Sequence, residues 1–320
     1  MATGLGTLVS SSPPVATPRP NGGALAGLLR GMRPGQWSKN LLVFAAPAAA
    51  GVITEQGPLL DAVVAFVAFC AASAGTYLLN DARDVESDRR HPVKRNRPIA
   101  SGQIGVVTAY VAGTVLIVAA VVIGFTVTTA LGLTLVGYLA LTTSYSFGLK
   151  NVAVVDLVAV SAGFVLRAVA GAAATGVPLS EWFFIVTSAG ALLVITAKRE
   201  AELAHHHRSV ADPNERPTRA VLASYTPSFL NSVRSIAAGL MLVAYCLWAF
   251  EGGPTAETAP ETAVWLQISM VPFAVVVLRY VQLADAGAAE RPERLLVSDR
   301  VLVVAGAAWA IVYAVGIYVA

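Results

Sequence analysis

Long, nearly uncharged apolar blocks alternate with short polar stretches along this chain. The blocks lie near residues 38–54, 59–79, 104–125, 128–147, 152–173, 182–198, 232–250, 263–283 and 300–319. Each is long enough, or nearly so, to carry a helix across the roughly 30 Å hydrocarbon core of a bilayer. None shows the polar face that a surface helix of a soluble protein turns to water. The pattern predicts an all-α polytopic membrane protein with nine transmembrane helices. Up to residue 28, Ser, Pro, Gly and Ala follow no helical period, which predicts a disordered tail over 1–28. A single nine-helix catalytic domain over 29–320 follows.

Composition narrows the class. With 56% hydrophobic and 13% charged residues, the chain has too little polar surface to clothe a soluble globule. Cys70 and Cys246 both fall inside apolar blocks, so neither a disulfide framework nor a thiolate metal site is expected. No glycine-rich nucleotide loop, nucleophilic serine motif or HExxH occurs, and no nucleic-acid partner is expected.

Charge distribution orients the spans. With the N-terminus placed in the cytoplasm, 21 of the 22 Lys and Arg residues fall on the cytoplasmic side. The loops after spans 1, 3, 5 and 7 hold only acids, such as Glu55, Glu181 and Glu251. So complete a bias predicts a multi-pass protein of the inner (plasma) membrane with its functional face in the cytoplasm. The exception is Arg167, well inside the fifth block, where a charge needs a polar cavity or a partner.

Residues 80–102, NDARDVESDRRHPVKRNRPIASG, concentrate charge beside the second block. On one continuous helix Asp81, Asp84 and Asp88 fall at i, i+3 and i+7, a single face. Three such carboxylates repel one another unless a cation lies among them, and with the Asn80 amide oxygen they form a hard-oxygen set suited to Mg²⁺. His91, Lys94 and Arg97 follow at once and can clamp anionic oxygens. Acids for a metal beside bases for phosphate describe a diphosphate-handling site, against the plainer reading of a solvated, charge-balanced helix end. Lys198, Arg199, Glu200 and Glu202 end the sixth block, where a Lys198–Glu202 pair at i, i+4 is the ordinary expectation. Tyr145, Lys150 and Asn151 end the fourth, and Asp156 stands just inside the fifth. Arg33, Gln36, Trp37, Lys39 and Asn40 precede or open the first block, as membrane anchors or as a seat for an anionic lipid headgroup. His205, His206 and His207 cannot all face one ion from a helix and are expected to be solvated.

The NDxxDxxxD string after the second helix resembles the UbiA-type intramembrane prenyltransferase superfamily. Together with RPGQWSKNLLVFAAP and PERLLVSDRVL, the longer string is similar to one branch of it. Members of that branch transfer 5-phosphoribosyl from phosphoribosyl pyrophosphate to decaprenyl phosphate for cell-wall arabinan. The resemblance implies a cytoplasm-facing cavity and Mg²⁺ held by Asn80, Asp81, Asp84 and Asp88. It implies donor phosphates met by His91, Lys94, Arg97, Tyr145, Lys150, Lys198, Arg199 and Glu202. Arg33, Gln36, Trp37, Lys39 and Asn40 would receive the lipid phosphate, while Asp156 and Arg167 stay unassigned. Membrane lipid is the other implied partner, and a homo-oligomer is left open. Superfamily members carry a second acidic motif after helix 6, where this chain reads KREAEL, which favours more phosphate and less metal. The alternatives are a prenyltransferase with an isoprenoid diphosphate donor and an aromatic acceptor and, more distantly, a non-catalytic lipid transporter.

Overall fold

The computed structural model describes residues 23–209, 220–251, 260–290 and 292–319. Every regular element among them is helical. A short helix, α1 (Ala24–Gly31), leads into a 3₁₀ helix over Pro34–Phe44 that continues as α2 (Ala45–Ala49). Long helices follow: α3 (Gln56–Arg83), α5 (Val106–Val127), α6 (Thr129–Phe147), α7 (Val155–Thr175) and α8 (Glu181–Ser209). The short α4 (Val85–Arg90) lies between the first two. The chain ends with α9 (Pro227–Phe250), α10 (Pro260–Asp285), the short α11 (Pro292–Ser298) and α12 (Arg300–Tyr318). Eight helices among the described residues are long and apolar enough to cross a membrane.

Two boundaries depart from the sequence reading. Part of the tail expected over 1–28 is the helix α1, whose Gly27 and Gly31 pack on Gln103, Ile104 and Leu78; residues 1–22 lie outside the described residues. The first block is not one α-helix over 38–54. Arg33 takes a left-handed φ of 54° before Pro34, and eleven residues then wind as a 3₁₀ helix. Such runs rarely exceed four residues, but their rise of about 2.0 Å per residue is longer than that of an α-helix. Pro34 to Ala49 therefore reach about 30 Å, close to the hydrocarbon thickness.

Consecutive long helices pack side by side and antiparallel, so the C-terminal ends of α3, α6, α8 and α10 meet the N-terminal ends of α5, α7, α9 and α12. The 3₁₀ segment lies against α3 and α7. At the opposite end Tyr318 Oη donates to the Ala48 carbonyl at 2.7 Å and Tyr313 Oη to that of Ala49 at 3.2 Å, tying α12 to α2. Lipid gives no hydrophobic drive between helices, so close backbone approach matters. Gly75 and Gly113 face each other between α3 and α5, and a Cβ on either would meet the other's carbonyl at 2.6–3.0 Å. Gly171 admits the 3₁₀ segment, since a Cβ there would run into the Val43 carbonyl. Val107, Val111, Val115, Val118 and Val122 form an exposed stripe on α5, the face a lipid phase would cover.

Charged side chains tie the helix ends together. Asp156 is 0% exposed and Arg199 2%. Arg199 Nε donates to Asp156 Oδ2 at 2.8 Å, Nη2 to Asp156 Oδ1 at 3.1 Å and Nη1 to Glu202 Oε2 at 2.9 Å. Tyr145 Oη donates to Asp156 Oδ1 at 2.6 Å, which brings α6 into the same knot with α7 and α8. Arg234, 1% exposed on α9, bonds Glu200 of α8 and Asp285 of α10, the latter at 2.9 Å. Arg279 Nη2 reaches Asp299 Oδ2 at 2.8 Å, and Asp299 Oδ1 caps α12 by accepting from the Leu302 N–H.

Two expected outcomes follow from this packing. Arg199→Met strands a buried carboxylate and should cost about 3–5 kcal/mol, while the double variant Asp156→Leu/Arg199→Met should recover most of it. Thermal denaturation in detergent measures both, and an unchanged melting temperature in the single variant would contradict the knot. Gly171→Ala should cost about 1–3 kcal/mol by overpacking, read as a lower melting temperature in the same assay.

Candidate active site

The acidic motif begins inside α3, which continues past the apolar block and carries Asn80 and Asp81. Asp81 is 4% exposed. Arg33 Nη2 donates to both of its oxygens, at 2.7 and 2.8 Å. The Arg33 guanidinium also lies 4.7 Å from the Tyr77 ring centre, so the turn before Pro34 points it back at α3. Arg97 Nη1 donates to Asp81 Oδ1 at 2.9 Å and to Asp88 Oδ2 at 2.7 Å. Two carboxylates thus converge on one cationic nitrogen, and two acids and two bases, Asp81, Asp88, Arg33 and Arg97, form one cluster.

Asp84 does not join them, which corrects the single-face expectation. The helix is interrupted at this residue (φ −90°, ψ 7°), and α4 begins at Val85. The Asp84 carbonyl accepts from both the Ser87 hydroxyl and the Asp88 N–H. Its half-exposed carboxylate pairs with Arg83 at 3.0 Å. Asn80 Nδ2 donates to Ser146 Oγ at 3.3 Å, which leaves its amide oxygen as the group for a ligand. Among the described residues no three His, Cys, Asp or Glu side chains gather where one metal ion could sit. The donor chemistry nevertheless fits Mg²⁺: the motif supplies only hard oxygens, and Asp81 and Asp88 already share a cation.

Other expected site residues divide by type. Arg97 is engaged by acids rather than held clear as a clamp, and Arg199, Tyr145 and Glu202 belong to the Asp156 knot. Glu202 takes Arg199 rather than Lys198 as its partner. His91 Nδ1 accepts from the Val93 and Lys94 N–H groups at 3.2 and 3.3 Å, so its ring shapes the turn before the basic run. Trp37 Nε1 donates to the Met32 carbonyl at 3.2 Å and braces the 3₁₀ entry, where Gln36 is half-buried. Asn40 is buried, accepting from Arg167 and donating to Cys70 Sγ. His205 is exposed, and the side chains of residues 206 and 207 lie outside the described residues.

The lysines behave otherwise. The chain has four, Lys39, Lys94, Lys150 and Lys198, all in the basic half of the bundle. None has a hydrogen bond or ion pair to another side chain among the described residues, and Lys39 and Lys198 are electrostatic neighbours. Arginine builds the frame, and the lysines are left without an ion-pair partner among the described residues. Tyr77, Tyr138 and Arg234 were not legible as site residues: the tyrosines look like packing aromatics inside apolar spans, and Arg234 looks like a helix-end anchor. Arg167, a charge inside an apolar block, is the one signal that could have led to Tyr138.

The matching family model is described as the UbiA prenyltransferase family and covers residues 41–298. The chain is 41% identical to a decaprenyl-phosphate phosphoribosyltransferase of Corynebacterium glutamicum, over 92% of this chain and 87% of that one. It is 42% identical to the enzyme of the same name in Mycolicibacterium smegmatis, over 92% and 93%. Among solved structures, a UbiA homologue from Archaeoglobus fulgidus bound to GPP and Mg²⁺ superposes with a TM-score of 0.65 at 17% identity. That alignment covers 91% of this chain and 98% of the archaeal one, and the fold is the same. With a family model spanning most of its length and relatives above 40% identity, the chain belongs to the UbiA prenyltransferase family.

Proposed function

We propose that this protein transfers 5-phosphoribosyl from phosphoribosyl pyrophosphate to decaprenyl phosphate, releasing pyrophosphate. The observation that carries the reading is 41–42% identity, over 92% of the chain, to two decaprenyl-phosphate phosphoribosyltransferases. The site's charges support it. Glu200 and Glu202, the acids at the end of α8, are both held by arginines, while Lys198 beside them has no acid partner. Such a surface receives phosphate better than a second metal.

In this reading Asp81 and Asp88, with the Asn80 amide oxygen, would hold Mg²⁺, and Asp84 would reach it only by leaving Arg83; the ion would neutralise the pyrophosphate as it departs. Arg97, already beside Asp81 and Asp88, is placed to exchange a carboxylate for a diphosphate oxygen. Lys94, Lys150 and Lys198 add the positive charge that two phosphorylated substrates require to meet. Lys39 and Asn40, on the 3₁₀ entry braced by Trp37, seat the acceptor headgroup with Arg33 and Gln36 beside them in sequence. The C1–O bond to pyrophosphate breaks and a C1–O bond to the lipid phosphate forms, with an oxocarbenium-like transition state and inversion if displacement is direct. The attacking phosphate is anionic near neutral pH, so positioning and charge neutralisation replace a general base. Arg199 and Tyr145 contribute by holding α6, α7 and α8 in place rather than by touching phosphate. The segment Pro34–Ala49 forms the ninth crossing, and the site and N-terminus face the cytoplasm.

Membranes supplied with labelled phosphoribosyl pyrophosphate and decaprenyl phosphate should move label into the lipid fraction. Label moving instead from an isoprenoid diphosphate to an aromatic acceptor would overturn the assignment. Asp81→Asn should lower transfer by about 10²–10³-fold with the protein still inserted. Chelation should stop the wild-type reaction and added Mg²⁺ restore it. Full transfer in the chelated enzyme would remove the metal from the mechanism.

A further inference from the structure

Arg167 lies on α7 about 18 Å along the helix from Val155, and is 8% exposed. Its Nε donates to Asn40 Oδ1 at 2.7 Å, Nη1 to the Gly163 carbonyl at 2.6 Å and Nη2 to Tyr138 Oη at 2.9 Å. Its guanidinium carbon stands 4.8 Å from the Tyr138 ring centre and 5.6 Å from that of Phe164. Every one of these partners is neutral. A guanidinium has five N–H donors, so these three bonds leave two unspent. Neutral acceptors aim a cation without cancelling its charge, and a charge held deep in a helix bundle needs a counter-ion or a functional reason.

The surroundings increase that positive charge. Lys39 feels both Lys198 and Arg167, and neither lysine has an ion-pair partner among the described residues. The acid that faces Lys39 is Glu293, on the exposed surface of α11. The cluster is also continuous with the acidic motif. Tyr77 carries Arg33 on its ring and lies within electrostatic reach of Tyr138, Arg167 and Asp81, so the Asp81 cluster and Arg167 share one electrostatic neighbourhood. Asn40, which orients Arg167, is the residue next to Lys39 on the same 3₁₀ segment.

We infer that Arg167, Lys39 and Lys198 form an anion subsite at the floor of the active site, aimed by Asn40 and Tyr138, which binds a substrate phosphomonoester. The inference rests on the substrates proposed above, which offer two sources of that group: the lipid phosphate and the 5-phosphate of the donor. Arg167 is then a ligand-binding residue, and its ties to Asn40 and Tyr138 preset its direction before the phosphate arrives.

The full-length protein in liposomes tests this with two separate probes, farnesyl phosphate for the lipid group and ribose 5-phosphate for the donor group. Arg167→Gln should weaken one of them at least tenfold, and Arg167→Lys should restore part of that loss. Lys39→Gln should weaken the same probe. Unchanged affinity for both probes in Arg167→Gln, within twofold of wild type, would reduce Arg167 to a tie between helices. If Arg167→Gln does not fold, Lys39→Gln and Lys198→Gln carry the test, because neither lysine makes a side-chain bond that folding needs. Unchanged binding of both probes in both variants then overturns the subsite. Because the readout is binding, a wild type that binds a probe through Arg167 yet transfers no phosphoribosyl would sink the reaction and spare the subsite.

Discussion

A charge removed from water must meet an opposite charge or be shaped to receive one, and this bundle is organised by that requirement. Four of its helix junctions are closed by an arginine against carboxylates: Arg33 and Arg97 on Asp81 and Asp88, Arg199 on Asp156, Arg234 on Glu200 and Asp285, and Arg279 on Asp299. Guanidinium suits the work because its planar fork donates several bonds in fixed directions and stays protonated in low dielectric. Replacing a buried pair with apolar side chains can be neutral, so these pairs are evidence of placement more than of stability. What they place is the end of the bundle that carries the candidate site: α3, α4, α6, α7, α8, α9, α10 and α12 are all tied there. The lysines, with one ammonium each, close no such junction among the described residues.

Away from that end the packing is apolar and close. Gly75, Gly113 and Gly171 let backbones approach where lipid supplies no driving force. The closest approach, at Gly171, is also the one that seats the 3₁₀ segment against α7, and with it Asn40 against Arg167. Small residues in mid-membrane thus set the position of polar groups nearer the site. Winding eleven residues as 3₁₀ rather than α also changes which side chains of that segment share a face, since its period is three rather than 3.6.

Hydropathy made the eight long helices legible, because span length is a property of composition along the chain. The first block misled because an apolar segment reads the same whether it winds as α or 3₁₀; Pro34 and Pro47 were its visible warnings. The face shared by Asp81, Asp84 and Asp88 assumed an unbroken helix, and spacing does not reveal the interruption at Asp84. Arg199 looked available because Asp156, its partner, is 43 residues away in sequence. Arg167 was conspicuous as a charge, but its neutral partners Asn40 and Tyr138 carried no electrostatic signature to pair with it.

The segregation of lysine has a practical meaning in chemical terms. Amine-directed reagents discriminate by the nucleophile they find, and here every side-chain amine of the protein belongs to the candidate site or its rim. A single acylation experiment on intact membranes would therefore act as a map of the site. Whichever lysine a bound substrate shields would be read directly, without background from the rest of the bundle.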